Sequence, residues 1–159
     1  MRSILASLIM FCMGAISANA DPALKVINFT ADWCPNCVAL NPRIDEAMSQ
    51  FPEGEITRID LDMTAAGPGS SDIQKIDTAA IAIRLAHTHQ ARYLWDWYGG
   101  ATGIAVVIAA DNGEPLSCIQ RPMKSDEIAE RLELAKILAT SGQPGARKPD
   151  GPDCPPPTQ

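Results

Sequence analysis

Cys34-Pro35-Asn36-Cys37 is the feature of this 159-residue chain whose residue types and spacing point most directly to chemistry. Two thiols separated by two residues can close into a disulfide or open to a dithiol, so the pair can exchange electrons with a sulfur–sulfur bond elsewhere. The setting sharpens this reading. Lys25-Val-Ile-Asn-Phe-Thr30 is a β-branched and aromatic run that predicts a strand, and helical periodicity begins at Cys37. Cys34 therefore falls where a strand hands over to a helix. Unpaired backbone N–H groups and the helix dipole there favour an anion, and the thiolate is the reacting form of cysteine. This position is expected to lower the Cys34 thiol below its free value of roughly 8.5. Cys37, one turn on, is placed to resolve a mixed disulfide formed at Cys34. Pro35 fits the first helical turn, where its missing N–H would have had no partner.

Half of a zinc site is the competing reading of the same motif. A structural zinc takes four ligands, and the sequence offers no second Cys-x-x-Cys. His87 and His89 are the other ligand types available, but two residues apart on a helix they face different directions and read as solvated surface. The redox reading is preferred, with no bound cofactor and no metal expected.

The elements that must position the pair are legible from periodicity. Cys37, Leu40, Ile44, Met48 and Phe51 mark one buried helical face, which Gly54 closes, and Ile56 to Leu61 reads as a second strand. Thr64 to Ser71 is a loop. Asp72 to Tyr98 turns helical, with Ile73, Ile76, Ala80, Ile83 and Ala86 expected to face inward and a break expected near Thr78 or Thr88. Ile104 to Ala110 is apolar throughout, as a strand covered on both faces should be. Asp111-Asn112-Gly113 predicts a hairpin turn to Leu116–Gln120. Ser125 is positioned to cap a last helix whose buried face is Ile128, Leu132 and Ala135, continued by Leu138 or Ala139. Strands separated by helices imply a parallel pair joined by a right-handed crossover, and the closing hairpin adds antiparallel strands. The expected fold class is α/β, a central mixed β-sheet flanked by helices.

Composition bounds the rest. A hydrophobic content of 46% supports a buried core, and the net charge of −6 without a Lys/Arg cluster argues against nucleic acid as a partner. Residues 1–20 have the form of a secretory signal: Arg2, an apolar run from Ile4 to Ile16, and Ala18-Asn19-Ala20 as the cleavage site. The run is too short to span a bilayer comfortably, though an uncleaved anchor is the alternative. Cys34, Cys37, Cys118 and Cys154 would then work in an oxidising compartment such as the periplasm. Residues 21–140 form the expected domain. Residues 141–159, rich in proline, read as a disordered tail. Cys118 and Cys154 could pair and tie that tail down; equally, Cys118 could be a buried free thiol and Cys154 an exposed one.

With these residues in hand, the sequence resembles the thioredoxin superfamily over roughly residues 24–139. The run Phe29-Thr-Ala-Asp-Trp-Cys-Pro-Asn-Cys37 is similar to that of the C-terminal periplasmic domains of the DsbD thiol:disulfide interchange proteins. Pro42 matches the kink proline of the family's active-site helix, and Ile59-Asp60-Leu61-Asp62 resembles its second-strand ending. The resemblance implies a thioredoxin-like fold and a thiol–disulfide oxidoreductase, with Cys34 as nucleophile, Cys37 as resolving thiol and Trp33 beside the pair. It implies protein thiols and disulfides as partners, a reductase fed by a membrane electron donor, and a monomer. A copper-handling carrier using Cys34 and Cys37, or a non-catalytic binding module, are the alternatives.

Three departures from the family pattern stand out. Asn28 replaces the buried acid that the family carries on this strand, with Arg58 where a lysine is common. No proline faces the dithiol; Thr102 is the first candidate for its place and for a substrate contact, with Gly103 and Ile104 as alternatives. A cis bond before a non-proline costs about 3 kcal/mol, so trans is expected there. The third departure is a helical insertion over about 70–98, carrying Tyr93, Trp95, Trp97 and Tyr98. Those aromatics either pack the insertion onto the domain or build a partner surface beside the dithiol.

Overall fold

In the computed structural model, residues 22–156 are described; the expected signal segment at 1–20 lies outside them. Strand β1 (Leu24–Thr30) is followed by helix α1 (Pro35–Met48), β2 (Ile56–Asp62), a 3-10 turn (Thr64–Ala66), α2 (Asp72–Thr88), α3 (Arg92–Tyr98), β3 (Ile104–Ala109), β4 (Pro115–Gln120) and α4 (Ser125–Ser141). The sheet order is β2-β1-β3-β4. β1 runs parallel to β2 and antiparallel to β3, and β4 pairs antiparallel with β3. This is the mixed sheet that the alternation of strands and helices predicts, and the fold is thioredoxin-like. Among the described residues, no helix is long and apolar enough to cross a membrane.

Alternation along β1 and β3 feeds two cores. Val26, Ala105 and Val107 point to one face of the sheet, where Leu40 and Ile44 of α1 meet Ile128 and Leu132 of α4. Ile27, Phe29, Val106 and Ile108 point to the other, beneath Ala82, Ala86 and Leu94 of α2 and α3. β1 and β3 are covered on both faces, which is why their sequences are nearly continuous apolar runs.

Several element expectations need correction. α1 stops at Met48 with Ser49 as its cap, before Gly54. The long helical stretch breaks at Thr88, the second of the two expected places, and Gln90 takes a positive φ between α2 and α3. The inward face of α2 is Thr78, Ala82 and Ala86, whereas Ile73 and Ile76 are 72% and 66% exposed. Ala86 is buried as expected, but small side chains let this helix lie close to the sheet along Thr78 and Ala82, and the larger Ile73 and Ile76 fall off that stripe. α4 begins one residue earlier than expected: Lys124, not Ser125, is the cap, and its backbone N–H donates to the Glu127 carboxylate at 2.7 Å.

The largest difference is the C-terminus. Residues 142–156 pack along the β3–β4 hairpin instead of trailing into solvent. Arg147 is buried and pairs with Asp111, while the N–H groups of Gly145 and Arg147 donate to the Glu114 carboxylate at 2.7 and 2.8 Å. Cys118, fully buried on β4, is disulfide-bonded to Cys154. Tyr98 donates its hydroxyl to the Pro155 carbonyl at 2.7 Å. A segment with almost no apolar side chains is ordered here by a covalent tie and a buried ion pair, terms that hydropathy does not register.

Candidate active site

The site begins with the way β1 ends. Ala31 carbonyl accepts the Cys34 N–H at 3.1 Å, turning the chain into α1 with Cys34 in extended conformation as its cap. Cys34 Sγ then accepts the backbone N–H of Cys37 at 3.1 Å. A sulfur replaces the usual side-chain oxygen at a helix N-cap, so the donors left unpaired by helix geometry are aimed at it. The same groups favour negative charge on that sulfur when the pair is open. In the structure the pair is closed, with the two Cα atoms 5.2 Å apart. Cys37 is the inner member, 2% exposed, its sulfur 3.9 Å from the Phe29 carbonyl oxygen. Cys34 is 4% exposed, ringed by the exposed residues Trp33, Pro35 and Asn36.

The turn that carries Trp33 is fastened from below. Asp32 N–H donates to the Thr64 hydroxyl at 3.0 Å, and that hydroxyl donates to Asp62. The Trp33 indole N–H is shared between the Met63 and Thr64 carbonyls, each at 3.2 Å. Gly67 lies flat against the ring: a Cβ there would come within 2.5 Å of Trp33 Cδ1. Trp33 is still 41% exposed, so one face of a fixed indole is open beside the dithiol.

On the opposite side, the loop before β3 closes over the pair. Gly103, next to Thr102, comes close to it. Gly103 has φ +86° and donates its N–H to the Phe29 carbonyl at 2.9 Å. A Cβ there would stand 2.7 Å from Asn36 Cβ and 3.5 Å from Cys34 Sγ, so both the backbone conformation and the close approach require glycine. The peptide bond before Thr102 is trans; among the described residues only Arg121–Pro122 is cis. Arg121 donates to the Asn36 side-chain oxygen at 3.1 Å, which places a guanidinium at the motif's rim. Gly103 was an alternative to Thr102 in the sequence, whereas Arg121 as a neighbour was not found by sequence reasoning. The signal for Gly103 was its glycine type directly before an apolar strand.

Asn28 occupies the buried position expected for it, 1% exposed on the α1 face of β1. Its amide nitrogen donates to Asn41 at 3.1 Å and to Asp60 at 2.7 Å, and Asp60 is also held by Arg58. Asn41 in turn donates to the Thr30 hydroxyl at 2.9 Å. The amide is therefore satisfied, and the network runs outward from the buried position to the ion pairs of Arg58 with Asp45 and Asp60. Pro42 lies inside α1, as expected.

The insertion's aromatics divide into two roles. Tyr93 donates to the Gly113 carbonyl at 2.7 Å, Trp97 stacks edge-on against Tyr93 and Tyr98, and Tyr98 packs edge-on against Phe29. Burial holds both tyrosine hydroxyls above the usual phenol range, with the nearby Glu114 carboxylate adding to the effect on Tyr93. These three fasten the insertion to the domain. Trp95 instead reaches a groove of about 340 Å³ that it shares with Trp33. His87 and His89 sit at the far end of α2. Among the described residues, no three His, Cys, Asp or Glu side chains converge into a metal-ligand set, so a metal at the motif would rest on the two thiolates alone.

Comparison with known proteins places these features in context. Residues 15–88 match the family model for thioredoxin. Thioredoxin H7 of Arabidopsis thaliana is 46% identical over 53 residues, covering 32% of this chain and 41% of the relative. Thioredoxin-1 of Saccharomyces cerevisiae is 35% identical over 46 residues, covering 29% of this chain and 45% of the relative. The chain thus spans less than half the length of these curated relatives. Among solved structures, a thiol:disulfide interchange protein of the thioredoxin family from Chlorobium tepidum is similar at 18% identity and a TM-score of 0.45, covering 71% of this chain and 79% of that one.

Proposed function

We propose that this chain is a member of the thioredoxin superfamily, an exported thiol–disulfide oxidoreductase that reduces protein disulfides through Cys34 and Cys37. The observation that carries the reading is the sulfur cap: Cys34 Sγ accepts the Cys37 N–H at the first turn of α1, with its partner thiol already within bonding reach.

The reaction proceeds in two exchanges. The Cys34 thiolate attacks one sulfur of a substrate disulfide; that bond breaks, a Cys34–substrate disulfide forms, and the departing substrate thiolate takes a proton from water. Cys37, as thiolate, then attacks Cys34 Sγ, the mixed disulfide breaks, and the second substrate thiol is released. Two electrons pass to the substrate and the chain is left in the closed state. A dithiol donor must reopen the pair, and in an exported reductase that donor is a membrane protein. Trp33 and the Thr102–Gly103 loop flank the reacting sulfur, where substrate backbone would lie.

Purified protein, supplied with dithiothreitol, should reduce insulin disulfides, and Cys37→Ser should accumulate mixed disulfides with its substrates in cells. Absence of exchange with any protein disulfide would remove the reading. Export predicts a mature N-terminus at Asp21, read by intact mass of the periplasmic fraction.

A further inference from the structure

The groove between Trp33 and the insertion is bounded by residues whose chemistry names an occupant. One wall is the Trp33 indole, held from behind by Met63, Thr64 and Gly67, so it is pre-formed. The other wall is Trp95 with Ala79 of α2, and its floor at Gly99 and Gly100 carries no side chains. A volume of about 340 Å³ is at the small end of the roughly 300–1,000 Å³ of ligand pockets. It suits one or two side chains rather than a cofactor. In a chain of net charge −6, the one ionisable side chain lining this groove is a cation, Lys75. Its own partner, Asp72, is 3.9 Å away and almost wholly exposed, a loose pair that a better-placed carboxylate would displace. The apolar surface also continues outward, because Ile76 is exposed three residues before Ala79 on the same helix.

The groove lies beside the reacting pair, since Trp33, which lines it, directly precedes Cys34 in the chain. We propose that it is a specificity subsite for an extended segment of the protein substrate, seating an apolar side chain near the target cysteine between Trp33 and Trp95 and pairing a neighbouring carboxylate with Lys75. The subsite rests on the disulfide-exchange reading above and deepens it by naming the substrate class: disulfides flanked by acidic and apolar residues. The insertion supplies the second wall and the cation.

Two cystine-bridged peptides, identical except for a Glu-Leu or a Lys-Ser flank, test this beside bis(2-hydroxyethyl) disulfide, which has no flank. The protein should favour the Glu-Leu peptide in kcat/KM by about tenfold. Lys75→Glu should remove or invert that preference, and Ala79→Leu, which fills the groove, should bring it towards unity. Lys75 is exposed, so its variant keeps the test alive if Ala79→Leu fails to fold. Turnover of the unflanked disulfide with equal turnover of both peptides would overturn the subsite and leave the exchange reading standing. No turnover of any of the three would overturn both. Self-association of the protein that Lys75→Glu abolishes would assign the groove to a second copy of this chain and overturn the proposal.

Discussion

The Cys34–Cys37 bond closes a step of three residues at the start of a helix, whereas Cys118–Cys154 ties an edge strand to a segment 36 residues downstream. Opening the first should change little around it, because the helix start at Pro35 and the Cys37 N–H aimed at the Cys34 sulfur are held by backbone geometry. Opening the second releases a long loop whose remaining ties are the ion pair and hydrogen bonds around Arg147, Asp111 and Glu114 and the Tyr98–Pro155 contact. The surroundings differ as much as the loop lengths. Cys34 has helix-terminal N–H groups ready to hold a thiolate, while Cys118 lies wholly inside an apolar core that penalises one. On the proposed reading, the same covalent bond is reactive in one place and structural in the other, and loop length with local electrostatics decides which.

Separating activity from stability is the sharpest way to probe that contrast. Cys34→Ser should lower disulfide exchange by about a thousandfold or more, since it removes the attacking atom, with little change in melting temperature. Cys154→Ser should do the reverse: exchange within about twofold of the parent, and a stability loss of about 3–4 kcal/mol by the chain-entropy account, read by urea unfolding. A Cys154→Ser protein that lost exchange would make the second bond part of the machinery.

The strap's ion pair should matter next. Arg147→Met should cost about 2–3 kcal/mol, because the Asp111 and Glu114 carboxylates lose a buried donor. Combined with Cys154→Ser, the losses should add to less than their sum, since both variants free the same segment.

Acid should loosen the strap before the dithiol corner. Burial pushes Glu114 up, but the N–H groups of Gly145 and Arg147 and the Arg147 charge outweigh it and leave its carboxyl below the usual range. The hydrogen bond from Arg147 holds Asp111 low as well. A depressed folded value means that the stabilisation is fully present above the unfolded value of about 4 and is lost as pH falls through the lower folded one. Reduction of Cys118–Cys154 by a phosphine should accelerate below about pH 4, and Arg147→Met should flatten that profile.

The smallest effect is expected at the motif's rim. Arg121→Ala removes an exposed guanidinium from Asn36 and should slow disulfide exchange by less than about threefold, read in the insulin assay.

Sequence periodicity was enough for the strand–helix alternation, the sheet's mixed sense and the placement of Cys34, because those follow from apolar spacing and from turn residues such as Gly113. The orientation of α2 was only partly legible, since Thr78, Ala82 and Ala86 make the contact while the more apolar Ile73 and Ile76 face solvent. The strap was hidden for a different reason. Its order comes from a cysteine and an arginine finding partners far away in sequence, and composition reports only that prolines and polar residues are abundant there. Gly103 was one of three candidates for the contact opposite the dithiol, and only the fold shows that Asn36 leaves no room for a side chain at that point.

The most direct test of the whole account is a redox titration of the purified protein against glutathione, with the two cysteine pairs followed separately by alkylation and mass spectrometry. The account predicts that Cys34–Cys37 opens first, while Cys118–Cys154 stays closed until poises below about −300 mV, as structural disulfides do. Coincident opening of both pairs, or earlier opening of Cys118–Cys154, would contradict it.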